Sequence, residues 1–275
     1  MFKLFNTKRN IYLDYASATP VRKEVLKEME KFSGIFANPG SIHKDGVFAK
    51  RTLDGLRKQV ADSLSSRADE IVFVGTSTES DNLAVRGVVM AWREKNENKI
   101  PHIITTTIEH SAVSAIFKQL EKEGLAEISF VSVDSLGNIN LKELKTLLKE
   151  NTILFSFIHG NNEIGTIQNV EEIVKFIRHF KKHTLGDARA LYPLVHTDAS
   201  QSFSYSDIYM NKMGVDLMSL NSSKVGGPKG VALLYVKKGT PIKSIIFGGG
   251  QEFGLRPGTQ DISGIAGFAK ALQMA

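Results

Sequence analysis

The amino-acid sequence predicts an α/β protein built on a mostly parallel central sheet. Three observations predict it. Apolar runs of strand length alternate with amphipathic helical stretches. The runs are rich in Val, Ile and Leu, as strands buried on both faces are. The segments that follow them carry polar and ionisable groups. In chain order, residues 70–74 (EIVFV) read as a strand and 80–95 as a helix. Residues 102–106 read as a strand, 111–123 as a helix, 127–133 as a strand and 141–149 as a helix. A strand at 153–158, a helix at 170–182 and a strand at 193–197 come next, then strands at 216–220 and 231–236, and a further helix begins near Asp261. Residues 183–190 interrupt the rhythm and read as a surface insertion, longer than an ordinary helix-to-strand loop. Ligands of such sheets bind beyond the carboxyl ends of the strands. Chemistry is therefore expected at five strand exits: 75–82, 109–110, 159–163, 198–201 and 221–224.

The chain has 275 residues, enough for one large domain or one and a fraction. Its 42% apolar and 23% charged contents are those of a globular protein, so disorder and coiled coil are poor readings. There is no cysteine, which excludes a disulfide framework, a Cys-based zinc site, Fe–S ligation and a thiolate nucleophile within this chain. The net charge of +6 is scattered, with Lys23, Lys27 and Lys31 interleaved with Glu24, Glu28 and Glu30. That pattern reads as a solvated helix face and not as a nucleic-acid-binding surface. Residues 1–10 lack the apolar core of a signal peptide. No aliphatic run approaches the roughly 20 residues that cross a bilayer. The expectation is a cytoplasmic protein with neither a nucleic-acid nor a membrane partner.

The strand exits offer a set of chemical parts. Gly75 and the hydroxyl residues 76–78 stand between a strand and a helix start, where backbone N–H groups suit a phosphate, although Ser and Thr there also serve as ordinary helix caps. The sequence has no Walker A motif and no dinucleotide-binding glycine fingerprint. Asp198 ends a buried run; it could hold a metal, orient a histidine, pair with a protonated ring nitrogen or cap a turn, with Gln201 fitting a capping box. Lys224 precedes a glycine-rich turn and fits a Schiff-base nucleophile, against the commoner solvated lysine. A Ser-x-x-Lys pattern fails because position 221 is Asn221. The Asn221–Ser223 sequon carries no meaning in a cytosolic chain. His110 follows Glu109, and the histidines form no metal-binding motif. Together these parts make up a pyridoxal 5'-phosphate site: a phosphate cradle, a ring to stack, a carboxylate for the ring nitrogen and a lysine for the aldehyde.

The motifs behind those parts resemble class V aminotransferases, and specifically the NifS/IscS-type cysteine desulfurases. The resemblance covers residues 11–267. It rests on 12–20 (YLDYASATP), 38–43 (NPGSIH), 78–82 (TESDN), 161–165 (NNEIG), 196–201 (HTDASQ) and, most specifically, 248–259 (GGGQEFGLRPGT). It implies a three-layer fold: residues 1–14 as an N-terminal segment of a small domain, 15–260 as the pyridoxal phosphate-binding large domain and 261–275 as the start of an interdomain helix. The rest of the small domain is expected to be absent from this chain. It implies that Lys224 holds the cofactor aldehyde and then shuttles the substrate α-proton, that His110 stacks on the ring, and that Asp198 pairs with the ring nitrogen. Gln201 and Asn162 would lie beside the phenolic oxygen. Ser77 and Thr78 would bind the phosphate, and Thr259 would reach the phosphate of the neighbouring subunit in a homodimer. Asn221 and Ser223 stand where the family commonly has Ser and His, so a possible cation is lost and the anchoring is expected to be weaker or rearranged. The implied reaction takes L-cysteine or a related amino acid to alanine and passes sulfur to an acceptor, such as a scaffold protein, in sulfur metabolism that includes iron–sulfur cluster assembly. The persulfide-forming cysteine of the family has no counterpart among these residues, so the isolated chain is expected to be incomplete. Two alternatives stand beside this reading: another class V pyridoxal phosphate enzyme (an aminotransferase or lyase), and a non-catalytic cofactor-binding or dimerisation remnant.

Overall fold

A computed structural model describes residues 11–184 and 191–275. Seven strands form one sheet: β1 (Ile71–Val74), β2 (His102–Thr106), β3 (Glu127–Val131), β4 (Thr152–Ile158), β5 (Leu194–Asp198), β6 (Leu217–Asn221) and β7 (Ala232–Val236). Their order is β1-β7-β6-β5-β4-β2-β3. All adjacent pairs are parallel except those of β7, which runs antiparallel to both β1 and β6. Every residue of β1, β2, β4, β5 and β7 is buried, as the unbroken apolar runs predict.

Helices cover both faces, giving the three layers expected. On one face α3 (Ser77–Lys95) and α4 (Ser111–Lys122) bury Leu83, Val88, Phe117 and Leu120 against Val72, Ile103, Leu154 and Leu234. On the other, α1 (Lys23–Phe32), α2 (Lys44–Ser63), α5 (Leu141–Leu147), α6 (Val170–Thr184), α7 (Met210–Met213) and α8 (Ile262–Met274) accompany a larger core around Phe73, Phe155, Phe157, Met218 and Phe268. Helix α8 packs on α1 and α2. Only Val25 of α1 is fully buried, consistent with a mainly solvated helix.

The elements depart from the sequence expectations at identifiable points. Helix α3 begins at Ser77, three residues early, because the Thr76 hydroxyl accepts from Glu79 N–H and starts the helix there. Strand β3 stops at Val131, two residues short of the expected end. Helix α2 has no counterpart among the expected elements, yet Ala49, Leu53, Leu56 and Val60 stand at helical spacing and are all buried. Helix α6 runs through His183 to Thr184, and residues 185–190 of the expected insertion lie outside the described residues.

One contact sets a strict limit on side-chain size. A Cβ at Gly87 of α3 would lie 2.6 Å from the Lys243 carbonyl oxygen and 2.7 Å from Ile242 Cγ1. Lys243 N–H also donates to the Gly87 carbonyl at 3.1 Å. Gly87→Ala, although it favours helix, is expected to destabilise by about 1–3 kcal/mol through overpacking against backbone. Urea unfolding checks this, and an unchanged or raised midpoint would contradict it.

Candidate active site

All five polar strand exits meet at the carboxyl edge of the sheet, around a cavity of about 510 Å³. Ser77 reaches it from the exit of β1 and His110 from that of β2. Gly160 and Asn162 come from beyond β4, Asp198 and Gln201 from the end of β5, and Asn221, Ser223 and Lys224 from the end of β6. Of the ten residues singled out in the sequence, eight line this cavity. Thr78 is exposed in the first turn of α3, and Thr259 is exposed on the 248–259 loop, where Asn38 Nδ2 approaches its hydroxyl at 3.5 Å.

The N-terminal segment forms a further wall, one that no strand exit supplies. Asp14, Ala16 and Ser17 line the cavity. Lys224 Nζ donates to the carbonyls of Ala16 and Ser17 at 2.6 and 2.7 Å, and Gln201 Nε2 donates to Ala16 O at 2.6 Å. Thr19 fixes the segment by donating N–H and hydroxyl to Ser223 O, each at 2.9 Å. Burial lowers the proton affinity of Lys224, partly opposed by the Asp198 and Asp14 carboxylates. A half-buried lysine with depressed basicity supplies a free amine more readily than a solvated one. The turn after it needs Gly226, whose φ is +80° and whose missing Cβ leaves room for the Arg22 side chain.

Each remaining wall has a defined local cause. His110 caps α4: its Nδ1 accepts from Ala112 N–H at 3.1 Å, which places the proton of the neutral ring on Nε2. Asp198 Oδ1 accepts from Ser200 N–H at 3.0 Å; among the described residues this is its one hydrogen bond, so Oδ2 keeps a free acceptor position. Asn161 ties the exit of β4 to that of β2 by donating to Ile108 O at 2.8 Å and accepting from Glu163 and Ile164 N–H. At the start of α3 the Ser77 and Thr78 N–H groups have no partner within the helix. Asn221 Nδ2 donates to the Ser77 hydroxyl at 3.1 Å, and the Ser223 hydroxyl donates to Asn221 Oδ1 at 3.0 Å. Glu79 accepts from Gly75 N–H at 2.8 Å and from Arg256 Nε at 2.9 Å, which ties the 248–259 loop to the same helix start.

These residues fit pyridoxal phosphate. A free carboxylate oxygen on Asp198 suits a protonated ring nitrogen. The open N–H groups at the start of a 19-residue helix suit a dianionic phosphate, and the amine of Lys224 suits an aldehyde. Metal chemistry lacks such a set: among the described residues no group of three or more His, Asp or Glu could hold an ion. No helix among them is long and apolar enough to cross a membrane.

The chain matches the aminotransferase class-V family model over residues 11–275. It is 40% identical to a cysteine desulfurase IscS of Dictyoglomus turgidum, with 98% of this chain and 64% of that protein aligned. It is 37% identical to a putative cysteine desulfurase IscS 1 of Bacillus subtilis, covering 96% of this chain and 66% of the relative. The chain thus spans just under two thirds of the length of these relatives. Among solved structures it superimposes on a NifS-like protein with a TM-score of 0.87 at 39% identity, over 96% of this chain and 69% of the other. It also superimposes on SspA in complex with cysteine with a TM-score of 0.85 at 35% identity, over 96% and 72%. Sequence motifs, sheet topology and cavity agree with these matches, and the chain belongs to the pyridoxal phosphate-dependent class V aminotransferase family, in its NifS/IscS-type group.

Proposed function

We propose that this chain is the cofactor-binding part of a cysteine desulfurase, which converts L-cysteine to L-alanine and passes the sulfur to an acceptor. The observation that carries the reading is the convergence of Lys224, Asp198 and His110 on one cavity, within a chain about 40% identical to proteins bearing that name. Bound there, pyridoxal phosphate supplies an electron sink for charge developing at the substrate α-carbon. Lys224 would hold the aldehyde and, once displaced by substrate, move the α-proton. Asp198 would keep the ring nitrogen protonated, and the neutral His110 ring would lie against the cofactor face. Asn162 and Gln201 would border the phenolic oxygen. Ser77, Thr78, Asn221 and Ser223 would hold the phosphate, with hydroxyl and amide groups where a cation would otherwise help. The 275 residues contain no cysteine, so the thiol that takes the sulfur comes from outside them.

The same proposal includes a homodimer in which Thr259 reaches the neighbour's phosphate. Exposed Phe36, Ile42, Phe247 and Phe253, on and near the loops that carry the family motifs, support a second copy covering this side. It also includes the division of the chain at 14/15 and 260/261, a cytoplasmic setting and a scaffold protein as acceptor. The test is to supply the chain with pyridoxal phosphate, L-cysteine and a thiol acceptor, and to measure alanine, sulfide and keto acid. Alanine with sulfur release is expected. A keto acid in place of alanine would favour an aminotransferase or lyase, and cofactor binding without turnover would favour a binding or dimerisation role.

A further inference from the structure

Behind the cavity lies a buried polar layer that the proposed function leaves unexplained. On the α3/α4 face of the sheet, His196 stands two residues before Asp198 on β5 and so points to the same side. Its Nδ1 meets Ser156 Oγ at 2.8 Å and its Nε2 meets Ser219 Oγ at 3.2 Å. Ser219 Oγ lies 2.8 Å from Ser80 Oγ, and Ser80 donates its proton to Leu233 O at 3.0 Å. That last bond sets the direction of the chain. Ser219 donates to Ser80, His196 Nε2–H donates to Ser219, and Ser156 donates to His196 Nδ1. Each donor of Ser80, Ser156, His196 and Ser219 is used along this row, while the Thr105 hydroxyl beside Ser156 has no partner.

Asp81 of α3 is completely buried, and neither carboxyl oxygen has a hydrogen-bond partner. Its Oδ1 is 3.7 Å from His196 Nε2, and His196, itself fully buried, is held neutral with its pKa pushed down to about 3. A second carboxyl is only half satisfied. Glu109 Oε1 accepts from the Thr106 hydroxyl and from Ile158 N–H, while the buried Oε2 has no partner. For Asp81, a buried carboxylate with no donor and no cation is far costlier than the neutral acid, and for Glu109 the unpartnered Oε2 adds to the cost of burial. Asp198, by contrast, borders the cavity and accepts from Ser200 N–H. The neighbouring Asp198 charge adds to burial in disfavouring ionisation of Asp81 and Glu109.

We propose that Asp81 and Glu109 are positioning residues held as neutral acids, so that the wall behind the cavity carries its single negative charge on Asp198. This rests on the cofactor reading for the role of Asp198. Burial, with the Asp198 charge adding to it, outweighs the nearby Ser219 hydroxyl at Asp81 and the Thr106 and Ile158 donors at Glu109, so Asp81 is pushed well above the ordinary carboxyl range and Glu109 up to about 8. The groups facing Asp81 are Asp198 and neutral His196 on β5, Ser219 on β6 and Glu109, and those facing Glu109 are Thr106, Ile158 N–H and Asp198. Lys224 lines the same cavity and is drawn to Asp198.

The test is infrared spectroscopy of the whole ligand-free chain, labelled with ¹³C at aspartate or at glutamate carboxyls, beside D81N and E109Q. At pH 7 the wild type should show a protonated-carboxyl band with each label. D81N should remove the aspartate band and E109Q the glutamate band. The glutamate band should fade as the pH passes about 8, while the aspartate band persists. The folded chain then holds a Glu109 proton that the unfolded chain releases above about 4.5, so wild-type stability should fall relative to E109Q between pH 4.5 and about 8 and run parallel above it. With pyridoxal phosphate, D81N should bind within about threefold of wild type, whereas D198N should lose about tenfold or more, roughly the worth of one charge-assisted hydrogen bond. Absence of the aspartate band in wild type, or its survival in D81N, would overturn the proposal. So would D81N binding as poorly as D198N. If D81N does not fold, the pH titration of labelled wild type decides alone. If the bands behave as expected but wild type binds no cofactor, the charge assignment stands and the cofactor reading fails.

Discussion

Lys224→Ala is expected to abolish covalent capture of pyridoxal phosphate. The wild-type chain incubated with the cofactor should turn yellow, and borohydride should fix the label on Lys224. The variant should show neither the visible band nor the adduct, while free cofactor can still be held weakly by the phosphate and ring contacts. The physical basis is local. Among the described residues Lys224 is the one lysine that lines the cavity, its basicity is depressed by burial, and its Nζ sits 2.6–2.7 Å from two backbone carbonyls that hold it at the cavity wall. No other side chain in the lining is a primary amine, so the loss should be complete and not a graded fall. Capture of the label by the variant at another lysine would remove Lys224 from its proposed role.

The second large effect concerns stability. Arg57 of α2 and Glu252 of the 248–259 loop form a bidentate pair at 2.6 and 2.7 Å, with side-chain exposures of 7% and 0%. Arg57 also donates to Ile71 O at 2.7 Å, and Glu252 accepts from Phe73 N–H at 2.8 Å and Gln260 Nε2 at 2.9 Å. The guanidinium lies 4.7 Å from the Phe73 ring centroid and 5.1 Å from that of Phe253. The clasp holds the loop to the edge of the sheet where Glu252 and Phe253 adopt positive φ of 48° and 59°, an unfavourable conformation for both. Glu252→Ala leaves a buried guanidinium and a buried N–H unpaired and releases that loop. It should cost about 3–5 kcal/mol in urea unfolding. Replacing both partners with apolar residues, Arg57→Met with Glu252→Leu, should recover part of the loss, because no isolated charge is left. A loss below about 1 kcal/mol in the single variant would show that the pair contributes little beyond an exposed one.

Much of the site is legible in the sequence, because in a parallel sheet the position of a residue along the chain fixes the edge at which it emerges. Ser77, His110, Asn162, Asp198 and Lys224 each follow a buried apolar run, and that alone places them at one edge. The parts of the site that are not legible depend on contacts without local signals. Ala16 and Ser17 act through backbone carbonyls, which any residue carries. Asp81 sits at a helical position that looks like part of an ordinary first turn, and its isolation is set by hydrogen-bond directions in β5, β6 and α3 together. Along the chain Glu109 is simply the neighbour of His110. Its burial follows from β4 supplying Ile158 N–H. Helix α2 has a readable stripe in Ala49, Leu53, Leu56 and Val60, obscured by two glycines and many charges.

Periodicity, short apolar runs and motif order are all local along the chain. They suffice for the α/β class, the order of strands and helices, the family and the candidate lysine, aspartate and histidine. The antiparallel course of β7 between β1 and β6 emerges only when the chain is folded, as does the N-terminal segment walling the cavity. The pairing of Glu252 with Arg57 spans 195 positions and has no local signal. The same holds for the unpartnered carboxyl of Asp81 and the half-partnered one of Glu109 behind Asp198. Charge and hydrogen-bond satisfaction are sums over neighbours in space, and the neighbours of Asp81 and Glu109 come from strands far apart in the chain.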